Sequence, residues 1–297
     1  MAVELIPNFL QRPTLTFRLQ AHLRKTPIVR AMYRRKWNRR GETMLLSYPK
    51  AGRTWLRIMI GHAMADHFDL PLQEAIRLDR LSRNRHPMQQ HQHVPAIRAK
   101  HDDNPQLKTP GELVTTKTEY RDIKIILLIR DLRDLAVSAY LHMGRRDGLF
   151  HGDIGAFIRN PRGGVRTMVR FYNVWADNRD MPADFMLLRY EDMHADTAGE
   201  LRRVLHFAGI RNVADQTIRR AVDFGSFDNM RKLEVDGGLK DTRLRPGDPN
   251  DTETYKTRRG IVGGYGDYLG ADDGAYVKQC MTELSPFYGY DVRSTSS

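Results

Sequence analysis

Apolar positions in this chain fall into two patterns that alternate along its length. Short apolar runs bounded by polar residues predict strands at Thr43–Tyr48, Pro95–Lys100, Ile123–Ile129 and Asp184–Leu188. The run Ile125–Ile129 is unbroken, as expected of a central strand buried on both faces. Between these runs, apolar residues recur at helical spacing over Leu56–Met64, Leu132–Met143, Val165–Asn178 and Ala198–Ala208. Strands alternating with helices predict an α/β fold: three α/β/α layers around a central, mostly parallel sheet. No internal repeat, low-complexity tract or clear linker interrupts the pattern.

Charge divides the chain where hydropathy does not. The net charge is +12, and residues 1–40 hold ten Lys/Arg against the single acid Glu4. The rest is nearly balanced, so overall basicity is weak evidence for nucleic-acid binding. We read residues 1–40 as a basic helical extension and 41–297 as a single α/β domain. Thr26-Pro27 resembles a helix start, after which Ile28, Val29, Met32 and Tyr33 share one face. Such a helix either packs on its own domain or meets a membrane surface or acidic partner. The apolar runs are too short to span a bilayer, no signal peptide is evident, and Cys280 stands alone. These features suit the cytoplasm, with peripheral membrane contact through residues 1–40 as the open alternative.

Candidate chemistry gathers at the strand ends, where open α/β sheets bind ligands. After the first strand comes Ser47-Tyr48-Pro49-Lys50-Ala51-Gly52-Arg53-Thr54-Trp55, a Gly-containing loop that opens a helix. Helix-start amides and the Lys50 charge suit an anion there. The triphosphate loop G-x-x-x-x-G-K-[ST] is absent, which argues against ATP with its magnesium. The other strand ends carry His101, Arg130 and Tyr190. Asp131 or Asp134 could cap the helix after Arg130, placing Ser138 in its early turns. Arg130 offers a planar fork to phosphate, and Arg258-Arg259-Gly260 offers two more guanidiniums in a loop-rich region beginning near Asp236. His86, His91 and His93 compete with His101 for a base role; their spacing also suits a metal, though no Cys or carboxylate motif supports one.

In this order the motifs resemble those of the cytosolic-type sulfotransferases that use 3′-phosphoadenosine-5′-phosphosulfate (PAPS). Tyr48 to Trp55 is similar to their phosphosulfate loop Y-P-K-S-G-T-T-W, itself P-loop-like. Arg130 to Tyr140 is similar to R-x-x-[KR]-D-x-x-V-S-x-Y, and Arg189 to Met193 to R-Y-E-D-L. Gly225-Ser226-Phe227 resembles their T-S-F segment, and Arg258-Arg259-Gly260 their late R-K-G. The resemblance spans about residues 43–290 and implies O-sulfation: sulfuryl transfer from PAPS to an acceptor hydroxyl, leaving PAP, with no metal. Lys50, His101 and Ser138 are the implied catalytic residues: His101 is the base, and Lys50 stabilises the departing phosphate. Lys50 to Thr54, including Ala51, Gly52 and Arg53, would hold the 5′-phosphate. Trp55 and Phe227, with Ser226 beside it, would sandwich adenine, and Tyr190 would meet its edge. Arg130, Ser138, Arg258, Arg259 and Gly260 would bind the 3′-phosphate.

The sequence departs from that pattern in five respects. Ala51 replaces Ser, Arg53 replaces a small Thr, and Gly225 replaces Thr. Gly264 to Tyr268 stands where Trp-Lys-Asn is usual, and no copy of the short C-terminal dimerisation motif is evident. The segments Arg77–Val94, Gly144–Gly164 and Asp236–Asp251 are the candidate acceptor elements. Their His, Arg, Asn and Gly content favours a polar acceptor, such as a carbohydrate or glycolipid, over a phenol. Two rivals make different predictions: a P-loop kinase or ATPase requires magnesium, and a basic membrane- or nucleic-acid-binding protein requires residues 1–40.

Overall fold

The computed structural model describes residues 42–75, 77, 78, 94–237 and 244–290. The expected basic helix within residues 1–40 and the competing histidines His86, His91 and His93 lie outside them.

Four strands form one sheet: β1 (Thr43–Ser47), β2 (Ile97–Lys100), β3 (Lys124–Ile129) and β4 (Asp184–Arg189), in the order β2-β1-β3-β4. All neighbours run parallel, with Leu45 opposite both Ala99 and Ile126, and Leu128 opposite Leu188. β1 is buried at every position and β3 at all but its first residue, which is why their sequences lack alternation. β2 begins two residues later than expected, after Pro95, which has no N–H to donate to a ladder.

Helices cover both faces. α1 (Arg53–His67) packs with α6 (Thr197–Phe207) and α7 (Asp215–Phe224). On the other face, α2 (Leu132–Leu141) packs with α3 (Ile154–Arg159), α4 (Val165–Asp177) and α9 (Ala271–Met281). The short α5 (Tyr190–Ala195) leads directly out of β4, and α8 (Phe227–Asp236) precedes the late loop. The core between the layers holds Leu45, Leu46, Ile126, Leu127, Phe171 and Trp175, all essentially out of solvent. α2 stops at Leu141 rather than Met143, because a π-helical turn, His142–Arg146, takes over. Such turns shift a helix face locally and often mark functional sites.

The chain passes from β1 outward to β2 on one side, then returns to place β3 on the other. The connections leaving β1 and β3 therefore diverge, opening a crevice beyond their carboxyl ends. That crevice receives both Lys50 and Arg130.

Candidate active site

The loop after β1 is anchored at one residue and turns through left-handed backbone at two others. Tyr48 is fully buried; its hydroxyl donates to the Gly163 carbonyl at 3.0 Å and its ring meets Phe171 edge-on. Beyond that anchor, Lys50 (φ 75°) and Gly52 (φ 100°) both adopt left-handed backbone conformations. Left-handed lysine is uncommon and is retained where the surroundings over-determine it. At Gly52 the surroundings are explicit: an added Cβ would come within 2.5 Å of the Tyr190 ring. Gly52 is the N-cap of α1, with no capping side chain and no acid in the first turn. The helix start keeps its positive character, and Gly52 to Trp55 line a cleft of about 720 Å³.

Arg130 is presented from the end of β3 by three constraints. The Tyr172 hydroxyl donates to the Arg130 carbonyl at 3.1 Å and accepts the Arg130 N–H at 3.0 Å. The next residue, Asp131, caps α2 by accepting the Arg133 N–H, while its own N–H donates to Glu191 at 2.8 Å. Tyr290 holds the other Glu191 oxygen at 2.9 Å. The acidic residue of Arg189-Tyr190-Glu191-Asp192 thus ties the ends of β3 and β4 together. The Arg130 guanidinium stacks on Tyr190 with 4.3 Å to the ring centroid, and Ser138 lines the same cleft.

Aromatic groups line the region between these cationic ends. Trp55, Tyr190 and His194 contact one another, with Trp55 and His194 at 4.9 Å. The Trp55 indole N–H donates to the Gly225 carbonyl at 2.8 Å, fixing the ring plane. A Cβ at Gly225 would lie 2.5 Å from the Met59 side chain, which would have to shift to admit it. Ser226 and Phe227 follow at the cleft wall, and Phe227 keeps 42% of its surface exposed. Gly260 (φ 63°) lies against Phe227, its Cβ position only 2.6 Å from that ring.

The late loop closes over this wall on a buried carboxylate. Glu234 of α8 is fully buried and accepts the backbone N–H groups of Lys256 (2.7 Å) and Thr257 (2.8 Å). Arg146, from the π-helical turn, sits 3.5 Å from Glu234 and donates to the Thr254 carbonyl. Farther on, Gly263 N–H donates to the buried Asp134. Arg258 and Arg259 stand between these anchors, paired with Glu253 (3.4 Å) and Asp267 (2.5 Å).

The catalytic candidates line the same cleft. His101 Nδ1 is 3.0 Å from the Ser47 carbonyl, and its Nε2 is 2.7 Å from the Arg53 guanidinium. Burial, then the positive Arg53, lowers its pKa to about 3. Lys50 is lowered to about 7, first by burial and then by Lys256 and Arg146, with Glu234 opposing. His142, lining the cleft beyond Ser138, is lowered to about 3 by burial and the Lys50 charge.

The cleft brings together the expected Lys50, Gly52, Arg53, Thr54, Trp55, His101, Arg130, Ser138, Tyr190, Ser226, Phe227, Arg258, Arg259 and Gly260. Ala51, by contrast, is fully buried beneath the loop, so a serine hydroxyl there would have entered the core. Lys256, His142, His194 and Glu234 were not anticipated, and Asp134 was expected only as a possible helix cap. His142 carried a signal, being four residues after Ser138 on one helical face. Glu234 carried none, because its partners are backbone amides more than twenty residues away. Among the described residues, no group of three His, Cys, Asp or Glu is arranged to hold a metal ion.

Residues 40–285 match the sulfotransferase domain family. Cytosolic sulfotransferase 12 of Arabidopsis thaliana is 24% identical over 251 residues, covering 77% of this chain and 72% of the relative. Cytosolic sulfotransferase 17 of the same plant is 24% identical over 269 residues, covering 82% and 74%. Among solved structures, mouse sulfotransferase SULT7A1 complexed with PAP aligns with a TM-score of 0.53 at 21% identity, covering 85% of this chain and 87% of that one. Retinol dehydratase in complex with retinol and PAP aligns at 0.56 and 17% identity, covering 83% and 81%. The chain belongs to the sulfotransferase domain family. It is a PAPS-dependent sulfotransferase, with PAPS as donor co-substrate.

Proposed function

We propose that this protein sulfates a hydroxyl group of a small polar acceptor, with PAPS held between Lys50 and Arg130. The observation that carries this reading is the pairing of two cationic ends across one aromatic wall. The loop amides and Lys50 make one end; Arg130, Ser138, Arg258 and Arg259 make the other. That layout matches a nucleotide with a phosphate at each end of a base-bearing ribose. The cradle supports the fit, since Gly52 leaves no Cβ in front of Tyr190 and the helix start opens on the cleft.

The donor supplies an activated sulfuryl group on a phosphate leaving group. The protein supplies placement and charge, which dominate transfers of this type. His101 takes the acceptor hydroxyl proton on Nε2, the nitrogen not committed to Ser47. Lys50 offsets the negative charge that grows on the departing phosphate oxygen. Trp55 and Phe227 bind adenine between their faces, and Tyr190 backs the phosphate loop from behind as well as meeting the base. Arg258 and Arg259 exchange their ion pairs with Glu253 and Asp267 for the 3′-phosphate, and the exposed Arg259–Asp267 pair is worth little.

A carbohydrate, glycolipid or similar polar alcohol suits a mouth that includes His101, His142 and Lys256. The relatives include a flavonol 4′-sulfotransferase from Flaveria chlorifolia, which makes flavonols the contrasting class to assay. No helix among the described residues is long and apolar enough to cross a membrane; the cytoplasmic location is proposed from the likeness to cytosolic sulfotransferases. Peripheral membrane contact through residues 1–40 is the accompanying proposal for a glycolipid acceptor.

The decisive experiment incubates the protein with PAPS and panels of glycans, glycolipids and flavonols, reading sulfated products by mass spectrometry. Sulfation of polar alcohols is expected; sulfation confined to flavonols would overturn the acceptor assignment. Thermal stabilisation by magnesium-ATP but not by PAP would overturn the donor placement.

A further inference from the structure

We infer that Arg53 is a positioning residue for His101: it selects the tautomer that can act as base, and releases Nε2 when its guanidinium turns to the donor. The inference rests on the sulfuryl-transfer reading above.

Two partners on opposite sides of the ring demand the same tautomer. The Ser47 carbonyl, 3.0 Å from Nδ1, can only accept, so Nδ1 carries the hydrogen. The Arg53 guanidinium, 2.7 Å from Nε2, can only donate, so Nε2 presents its lone pair. The imidazole is thereby held neutral and aimed with Nε2 toward the cleft. The charged groups that act on it most strongly are cationic: Arg53 from α1, then Lys256 from the late loop and Lys50 from the loop after β1, with the titratable His142 of the π-helical turn also near enough to interact.

The same contact blocks the reaction while it lasts. A lone pair already accepting from a guanidinium cannot also take a proton from a hydroxyl. Arg53 has a stronger partner within reach, because it is the first residue of α1 and follows Gly52 in the anion-binding loop. A guanidinium binds a phosphate or sulfonate oxygen more strongly than a neutral imidazole nitrogen. Transfer of Arg53 to the donor frees Nε2 and also removes the positive charge that opposes its protonation. The acceptor oxygen then forms its bond to sulfur as the sulfur–oxygen bond to the 5′-phosphate breaks. The hydroxyl proton passes to Nε2, and the electron pair of the broken bond stays on the phosphate beside Lys50. The threonine usual at this position in the resembled motif has no group able to span to the histidine.

The test is nitrogen-15 NMR of labelled histidines in the full-length chain, with His101→Asn assigning the signal. Wild type should show a protonated Nδ1, an unprotonated Nε2 and no titration from pH 5 to about 8. Adding PAP should move the Nε2 signal and raise the His101 pKa by about one unit or more. Arg53→Thr should raise it without PAP and mix the two tautomers, while Arg53→Lys should behave in between. An Arg53→Thr variant with the wild-type tautomer and titration would overturn the positioning role. PAP that binds by calorimetry yet leaves the wild-type His101 signal unmoved would overturn the release step. A chain that fails to bind PAP, but whose Arg53→Thr variant shifts His101, would overturn release and the nucleotide reading while supporting tautomer selection.

Discussion

Gly52 and Tyr190 are in contact so close that the glycine has no room for a Cβ, which would stand 2.5 Å from the tyrosine ring. The contact sets the loop after β1 against the residue that follows β4, and the Arg130 guanidinium lies 4.3 Å from the centroid of the same ring. The loop after β1, Tyr190 and Arg130 are therefore packed together as one unit.

Gly52→Ala should uncouple that unit. A left-handed alanine alone costs roughly 1–2 kcal/mol, and displacement of Tyr190 adds to it. We expect at least about a tenfold loss of PAP affinity by calorimetry. Adding Tyr190→Ala should relieve the clash without restoring affinity, since the backbone penalty stays and the Tyr190 contact with Arg130 is lost. Unchanged affinity in Gly52→Ala would show that the loop has room the contact denies it.

Lys50→Ala should act on turnover more than on binding. Removing one preorganised donor at a developing charge commonly costs about 100- to 1000-fold in rate. PAP affinity, shared with Arg130, Arg258 and Arg259, should fall less. Single-turnover sulfation beside calorimetric PAP binding separates the two, and near-normal turnover would remove Lys50 from the mechanism.

The pH dependence of PAP binding follows from the same lysine. Its pKa is lowered to about 7, so the free site loses this charge as pH rises through neutrality. Below that value the ammonium is already present and binding needs no proton. Above it, binding an anion requires proton uptake, and affinity should fall by up to about tenfold per pH unit. Calorimetry in buffers of different ionisation enthalpy should register the uptake at pH 8, and Lys50→Met should abolish it. For stability the sign is opposite: burying the charged form costs free energy below pH 7, and that cost is relieved between pH 7 and the ordinary lysine range.

Glu234→Ala should loosen the late loop. It leaves the Lys256 and Thr257 amides without their carboxylate and Arg146 without its nearby counter-charge. Each buried group left without a partner costs about 1–3 kcal/mol, so Tm should drop by about 4 °C or more. PAP affinity should weaken as well, because Arg258 and Arg259 follow directly on those amides. A fall in Tm without a change in affinity would separate the anchor from nucleotide binding.

The strands, their parallel arrangement and the groups at their ends were legible in the chain because they depend on local periodicity. Buried strands read as continuous apolar runs, and a loop holding Lys50 and Gly52 between strand and helix has few alternative uses. The same locality made Asp131 recognisable as a possible helix cap, with Asp134 equally eligible from sequence alone. Only the folded chain assigned the cap to Asp131 and gave Asp134 to the Gly263 amide. Tyr190 was foreseen at the base, yet its buried ring against Gly52 and Arg130 is a product of packing β1, β3 and β4 side by side. Glu234 bonding Lys256, and Arg53 bonding His101, join residues 22 and 48 positions apart. No sequence period encodes such pairs, because they arise where separate connections meet above a sheet. Sequence alone determined which chemical groups stand at the strand ends; tertiary structure decided which of them touch, and so which protonation states the site can hold.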